Sequence, residues 1–470
     1  MTDHQAPDDV YPGIQAERIQ HLNDTGVAED GSYVLYWMQQ AQRTELNHAL
    51  EYAIHRANGL GQPLLVAFGL MDDYPEANRR HYHFMVQGLA DVEAALAGRD
   101  VPFVVQRGNP AEVALRLGAG ASLVVCDRGY LRPQREWRER VAAEAARSVV
   151  QVESDVVVPV QLASDHQETA ARTLRPKITK HLDRFLVELP RTTLKDTTVP
   201  AGVAGEDLSD VDALLDSLGL DDDVPVVPLF EGGTSVGKKV LRDFLRDHFD
   251  VYARHRNQPQ TDDVSHMSKY LHFGQLSPVY IALEAQRLPQ SDNRDDFLEE
   301  LIVRRELPMN FVFFQPLYDS YSSLPAFARK TLSEHEDDVR RYRYTRAQLE
   351  DAETHDEYWN AAMREMRATG YMHNHMRMYW GKKILEWSGT PQDAHATTLY
   401  LNNKYFIDGR DANSFANVAW VFGQHDRGWT ERDVFGKVRY MNAAGLERKA
   451  DPKAYVAKVE RLEQEVEERS

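Results

Sequence analysis

Cysteine is almost absent from this chain. Cys126 is the only one among 470 residues. That excludes an intrachain disulfide and any metal site built from several thiolates, and a reducing, cytoplasmic setting is expected. No run of 18 apolar residues occurs, so no membrane-spanning helix is expected. The opening MTDHQAPDDVYPGIQ has neither a basic start nor an apolar stretch, so it is not a secretory signal. It begins a polar arm, residues 1–31, expected to be disordered. Basic charge is also scarce. Lys and Arg number 55 against 73 Asp and Glu, a net charge of −18, which argues against a nucleic-acid binder that uses its whole surface. Between 370 and 445 the balance reverses to +2, nine Lys and Arg against seven Asp and Glu, so a local basic face remains open to DNA. No repeat of solenoid spacing is present.

What is there divides the chain. A length of 470 residues is too great for one ordinary core. The first third holds apolar runs of strand type: YVLYWM (33–38), PLLVAFGL (63–70), VPFVVQRG (101–108), ASLVVCDRG (121–129) and VVQVESDVVVPV (149–160). Helical spacings separate them, as in Leu46, Leu50, Ala53, Ile54 and Ala57. This alternation predicts a doubly wound, Rossmann-like α/β domain with a parallel sheet over residues 32–162. Its ligands would lie beyond the carboxyl ends of the strands, although no glycine-rich dinucleotide fingerprint follows any of them. Residues 163–230 are polar and mixed and read as an interdomain linker. From 231 to 470 the pattern is helical, at 238–250, 277–288, 294–315, 337–350, 358–369, 372–388, 391–402 and 411–421, and predicts a second, all-α domain.

One motif is a decoy. GGTSVGKK (232–239) fits the first seven positions of a phosphate loop, but Lys239 stands where a Ser or Thr should hold magnesium. Pro228 also spoils the preceding strand. A helix start capped by Thr234 or Ser235 is the preferred reading.

The remaining candidates are ambiguous one at a time. Ser265 and Ser268 flank a turn before an apolar helix and could donate to an anion, yet a double cap explains them equally well. Glu300 and Arg304 are four apart on one helix face, as in many surface ion pairs. Trp380 and Trp387, seven apart, share a helix stripe, with Trp359 on the preceding helix, and aromatic core packing accounts for such a set. Asn374, Arg377 and Met378 project near one another. The histidines of HNH (373–375) lack a carboxylate at ligand spacing, so no metal site is expected.

Order and spacing resolve the ambiguity. Tyr252-x-x-x-Arg256, a polar loop, Ser265-x-x-Ser268 and YLHFGQLSP are followed by FLEELIVRREL (297–307). Next come YWNAAMREM (358–366), MHNHMRMYWGKKILEW (372–387) and LNNKYFIDGRD (401–411). This succession resembles the photolyase/cryptochrome family, and within it the class II cyclobutane pyrimidine dimer photolyases, from residue 33 to about 459. The resemblance implies an FAD site made by Tyr252, Arg256, Val264, Ser265, His266, Met267, Ser268, Arg377, Asn402, Asp408, Gly409 and Arg410. In it Arg377 pairs with Asp408 beside the isoalloxazine, and Asn402 lies near flavin N5. Trp380, Trp359 and Trp387 become the proximal, central and outermost stations of an electron-hopping chain. Glu300, in a protonated or hydrogen-bond-donating form, contacts the dimer; Met378 touches it and Trp420 stacks beside it. Arg304, Asn374, Arg427, Trp429, Lys437, Arg439 and Tyr440 complete the DNA side.

The implied activity is that of a carbon–carbon lyase. Reduced FAD passes an electron under blue light to a flipped-out dimer in double-stranded DNA, and the cyclobutane ring opens. The protein is expected to be a monomer, cytoplasmic and nucleoid-associated when bound to DNA. An antenna chromophore of the 8-hydroxy-5-deazaflavin or folate type, or an empty antenna site, is compatible with the α/β domain. The rival is a cryptochrome-like photoreceptor without repair. Glu300, Met378 and Trp420 favour the enzyme. A phosphate-loop ATPase is a distant third.

Overall fold

The valine-rich runs of the first third become strands because both of their faces are covered. In the computed structural model, which describes residues 11–469, they form one six-stranded sheet. Its strands are β1 (Ile19–His21), β2 (Tyr33–Met38), β3 (Leu64–Leu70), β4 (Phe103–Arg107), β5 (Ala121–Asp127) and β6 (Ser148–Val152), in the order β1-β6-β5-β2-β3-β4. All neighbours pair in parallel except β1 with β6. Every residue of β2, β3, β5 and β6 is buried, as expected for a parallel sheet with helices on both sides. The crossovers carry α1 (His48–Leu60), α2 (Arg79–Ala97), α3 (Pro110–Gly118) and α4 (Arg132–Glu144). The winding reverses between β2 and β5, which opens a crevice at their carboxyl ends.

Two expectations fail here. The arm through Gly31 is not disordered over its described part: Ile19–His21 pairs with Val150–Val152. Arg18, 1% exposed, donates to the carbonyls of Glu153, Val156 and Val157. A buried guanidinium shared among three carbonyls anchors a segment whose composition looks polar. Residues 1–10 of that arm lie outside the described residues. The run 149–160 is also a strand only through Val152, and a short helix, Val160–Ala163, follows Pro159.

The segment 163–230 carries Ala171–Thr179 and Val211–Asp216 as helices. Leu174 and Ile178 join the core of the helical half, and Leu214 and Leu215 that of the α/β half. Beyond it lie α5 (Thr234–Asp247), α6 (Asp292–Leu298), a π-helical turn at Glu299–Arg304, and α7 (Arg305–Phe314). Then follow α8 (Glu357–Thr369), α9 (Asn374–Trp387), α10 (Pro391–Tyr405), α11 (Ala412–Val421) and α12 (Pro452–Arg469). The helix expected at 337–350 shrinks to Arg346–Glu350, because the Arg340 side chain takes the carbonyls of Glu336 and Asp338 out of helical pairing. No helix among the described residues is long and apolar enough to cross a membrane.

The GGTSVGKK stretch opens α5, and its cap comes from elsewhere. Asp91 of α2 accepts from the Ser235 N–H at 3.0 Å and hydroxyl at 2.9 Å, and Lys238 pairs with Glu45. A carboxylate thus occupies the position a phosphate would need, and neither Thr234 nor Ser235 is the cap.

Buried polar groups join the two halves. Arg80, at the start of α2, donates to the carbonyls of Pro225, Arg367 and Tyr405, and the His81 ring meets the Phe406 carbonyl at 3.0 Å. Gly274 has φ +63°, and a Cβ there would lie 1.8 Å from the Gln40 carbonyl oxygen, so only glycine permits this approach. Glu306, on α7, accepts from the N–H groups of Val157 and Val158. Burial pushes its carboxyl up to about 8, against the pull of the Val157 N–H and of Arg305. A folded-state value above the unfolded one means that this group's stabilisation is complete below the unfolded value and is lost as pH rises through about 8. Glu306→Gln should therefore gain on the wild type by on the order of 1 kcal/mol per pH unit in that window, measured by urea unfolding between pH 5 and 9. Parallel profiles for the two proteins would contradict this.

Candidate active site

The π-helical turn, α9, α10, α11 and the 252–272 segment enclose a cavity of about 580 Å³, within the range of small-molecule sites. Among the residues singled out in the sequence, Tyr252, Arg256, all five of Val264 to Ser268, Glu300, Arg304, Asn374, Arg377, Met378, Trp380, Asn402, Asp408, Trp420 and Arg439 line it. Trp359, Trp387, Gly409, Arg410, Arg427, Trp429, Lys437 and Tyr440 do not.

One wall is polar and suits an anionic cofactor. The loop before Ser268–His272 turns at His266, which takes φ +53°. Lys458 of α12 braces this loop through the Thr261 carbonyl at 2.8 Å and the Asp262 carboxylate at 3.1 Å. Opposite, the Arg377 guanidinium meets both carboxylate oxygens of Asp408 at 3.2 Å and lies 3.9 Å from the Phe406 ring centroid. Asn402 donates to Asn403 at 2.9 Å, and Asn403 donates to Glu76 of the α/β half at 2.6 Å. The chain thus holds the Asn402 amide from behind.

The second wall differs from expectation. Because Glu299–Arg304 is π-helical, residues four apart no longer stack as in an α-helix. Glu300 pairs with Arg256 at 2.6 Å, and Arg304 pairs with Glu299 at 3.1 Å. The surface ion pair between Glu300 and Arg304 that their spacing allowed does not form. One carboxyl oxygen of Glu300 accepts this bond from Arg256. Trp420 and Met378 are half-buried on the same cavity. At its rim Trp429 is 40% exposed, with the guanidinium carbons of Arg427 and Arg439 each 5.2 Å from its ring. Arg432 lies 5.4 Å from the Tyr440 ring, and Lys437 is exposed.

The tryptophans lead away from the cavity. Trp380 lines it, and its Nε1 has no protein partner. The Trp359 indole N–H donates to the Trp380 carbonyl at 2.9 Å, and its ring lies 5.6 Å from that of Trp387. Trp387 is not at the surface: it is 2% exposed and covered by Tyr344 and His355, each with ring centroids 5.3 Å away.

Gly409 and Arg410 belong to a different contact set. Gly409 packs against the carbonyls of Asn402, Asn403 and Phe406. Arg410, at φ +63°, donates to the Asn403 carbonyl and turns into the wall of a second cavity of about 110 Å³ beyond the carboxyl ends of β2 and β3. The left-handed turn at 410 swings its side chain away from the larger cavity. Tyr74, Tyr82 and Trp137 supply aromatic walls to the smaller one, and His272 borders both. His272 meets Asp411 at 3.1 Å. Burial alone would raise the Asp411 carboxyl, but His272 and Arg305 hold it down to about 2.

Sequence reasoning missed His272, Tyr371, His375, Asp411 and His425, all lining the large cavity. Single histidines scattered over helix ends carry no periodic signal. His266 Nδ1, His375 Nε2 and His425 Nε2 are buried without a protein partner. Unpaired polar atoms around a cavity of this size mark a site that a polar ligand completes. FAD fits this donor set: hydroxyls and a tight loop for an anionic centre, a carboxylate–guanidinium pair for a ring edge, and aromatic walls.

Comparison with solved structures places the fold. A class III photolyase from Agrobacterium tumefaciens superposes with a TM-score of 0.69 at 18% identity, covering 92% of this chain and 87% of that one. An archaeal photolyase from Sulfolobus tokodaii, solved with two FAD molecules, gives 0.69 at 17% identity over 90% and 89%. A Synechocystis cryptochrome gives 0.70 at 15% identity over 91% and 88%. The architecture is therefore that of the photolyases and cryptochromes. The DNA photolyase family model matches residues 34–195. The deoxyribodipyrimidine photo-lyase of Methanothermobacter thermautotrophicus is 50% identical over 96% of this chain and 99% of its own length. The rice protein of the same name is 43% identical over 93% and 89%, and that of Potorous tridactylus 37% identical over 93% and 82%. At these identities and coverages, the chain belongs to the DNA photolyase family.

Proposed function

We propose that this protein is a monomeric light-driven lyase that opens cyclobutane pyrimidine dimers in double-stranded DNA, with FAD in the 580 Å³ cavity. The observation that carries this reading is that Tyr252, Arg256, Val264 to Ser268, Arg377, Asn402 and Asp408, assigned to flavin, line one cavity with Glu300, Met378 and Trp420, assigned to the lesion. Bound in its reduced form, FAD would supply and recover one electron under blue light, chemistry that opens the cyclobutane ring with no net redox change.

The chain's own residues do the rest. The loop from Val264 to Ser268 receives the pyrophosphate through serine hydroxyls and backbone N–H groups. The Arg377–Asp408 pair orients the ring edge and, being partly desolvated, opposes changes in local charge. The Asn402 amide, held by Asn403, presents a fixed polar group to the central ring. Flipping the lesion costs a few kcal/mol, least for a poorly stacked base, and Trp420 recovers part of this by stacking. Glu300, tied to Arg256, faces the pyrimidine carbonyl and N–H edge, and Met378 packs against the dimer. Arg427, Trp429, Arg439, Lys437 and Tyr440 hold the backbone and fill the space the flipped bases leave. A sensor without repair would have no use for Glu300, Met378 and Trp420 on one wall.

We assign the smaller cavity to an antenna chromophore. Tyr74, Tyr82 and Trp137 suit a flat ring system of deazaflavin or folate type, and the visible spectrum of the purified protein identifies which one.

The decisive experiment incubates the reduced protein with a thymine-dimer oligonucleotide in light and in darkness. Dimer loss is expected in light alone; equal loss in both, or none in either, refutes the assignment. Trp420→Ala should weaken binding of the dimer-containing duplex by about 1–3 kcal/mol, the worth of one base–aromatic stack, measured by fluorescence anisotropy against undamaged duplex.

A further inference from the structure

The buried cations of this fold fall into two groups. Arg43 and Arg305 share Asp155, Arg128 has Glu153, Lys383 has Glu386 and Lys458 has Asp262, whereas Arg18, Arg80, Arg138 and Lys382 donate to backbone carbonyls instead. Lys269 belongs to the second group, and it alone of that group adjoins the loop from Val264 to Ser268. It follows the loop from Val264 to Ser268 directly and is 1% exposed. Its ammonium makes one hydrogen bond, to the His266 carbonyl at 3.1 Å, and no carboxylate lies within 4.0 Å of it among the described residues. Aromatic rings take the place of a counter-ion. Nζ lies 3.7 Å from the Phe230 centroid and 5.3 Å from that of Tyr371. Such contacts offset only part of what an ammonium loses on leaving water. The bond to His266 also pins the left-handed residue of the loop, at φ +53°. A buried cation with its negative partner missing thus stands behind an anion-binding loop.

We propose that Lys269 is a positioning residue whose missing counter-ion is the pyrophosphate of FAD, so that FAD binding draws a proton onto this lysine and becomes weaker as pH rises above neutrality. The inference rests on the assignment of the loop from Val264 to Ser268 to FAD. Burial brings the Lys269 ammonium down to about 7; the charge of Asp408 opposes the fall and that of Arg377 adds to it. A dianionic group arriving at the loop favours the protonated form, so the bound-state value rises. Below the free-state value the lysine is charged in both states and affinity is constant. Between the free-state and bound-state values, affinity falls with pH.

Five neighbouring groups, His266, Asp262, Tyr270, Tyr371 and His373, keep one charge state across this window. On the loop, burial keeps the His266 imidazole low despite its bond to Asp262, so it is neutral throughout. Asp262 is held low by His266 and Lys458 despite burial, so it stays ionised. Burial raises the phenols of Tyr270, on the same short helix, and of Tyr371. Arg377 from α9 and Asp408 form their own ion pair, and His373 is brought down to about 3 by burial. Glu231, beside Phe230, meets this cluster through its carbonyl, which accepts from Tyr270.

The test measures the FAD dissociation constant of the full-length protein, stripped of flavin and titrated with FAD between pH 6 and 9. The wild type should be flat below neutrality and weaken by up to about tenfold per pH unit above it. Lys269→Arg keeps its charge throughout, so its profile should be flat. Lys269→Met should be flat and weaker at pH 6 than the wild type. A flat wild-type profile, or a slope that persists in Lys269→Arg, overturns the inference while leaving FAD binding intact. Absence of FAD binding by the wild type at every pH would instead refute the functional assignment. Lys269→Arg decides the matter even where Lys269→Met fails to fold.

Discussion

Trp359→Phe should abolish light-driven reduction of the bound flavin while leaving repair by chemically reduced enzyme unchanged. The expectation follows from where the three tryptophans stand. Trp380 lines the cavity, Trp359 touches it through an indole–carbonyl hydrogen bond at 2.9 Å, and Trp387 lies 5.6 Å from Trp359, ring to ring. Phenylalanine is much harder to oxidise than indole, so the substitution removes the middle station and keeps an aromatic ring in place. The structural cost is small by comparison. A smaller ring and one lost hydrogen bond in a fully buried site cost about 1–3 kcal/mol, against a typical total of about 5–15 kcal/mol. The variant should therefore fold and keep its flavin. The measurement is the bleaching of oxidised flavin absorbance under steady blue light with an external reductant, followed by repair after dithionite reduction. Photoreduction at the wild-type rate would refute the assigned route. So would loss of repair in the pre-reduced variant, since Trp359 does not line the cavity.

The same residues show what a sequence can and cannot disclose. The sheet was legible because a strand buried on both faces must be written in continuous apolar residues, as in 33–38 and 121–127. The helices α8 to α11 were legible from the spacing of their apolar residues. The site was legible only as an ordered succession of motifs, since each tryptophan or serine alone had a simpler explanation. The misses have two physical causes: a partner distant in sequence, or a local departure of the backbone from regular geometry. The segment around Ile19–His21 is ordered by carbonyls some 135 residues away. Ser235 is capped by Asp91. Glu300 turns to Arg256 because one π-helical turn shifts the register of its helix, and Arg410 leaves the flavin cavity because residue 410 adopts a left-handed backbone. Periodicity cannot report any of these.

Asp155→Ala should be the most damaging single substitution between the two halves, at about 3–5 kcal/mol of stability. Asp155 is 1% exposed. Its carboxylate meets Arg305 at 3.0 Å and Arg43 at 3.8 Å, so one anion serves two buried guanidinium groups from opposite sides of the interface. Removing it leaves both cations facing each other out of water. The hydrogen bonds that remain, from Arg43 to the carbonyls of Gly274 and Ser154 and from Arg305 to the Asp155 carbonyl, satisfy geometry but not charge. Asp155→Asn keeps an acceptor and should lose less. The double variant Asp155→Ala with Arg305→Met should lose less than the sum of the two single changes, because the second removes one of the stranded cations; a double-mutant cycle in urea measures the difference. Additive losses, or a cost below about 1 kcal/mol for Asp155→Ala, would mean that the cluster behaves as a solvated pair. Arg305 also lines the large cavity proposed for FAD, directly after the turn that carries Glu300. Loosening it should therefore weaken flavin retention before the protein unfolds, with free-flavin fluorescence rising at lower urea concentration than the loss of helical circular dichroism.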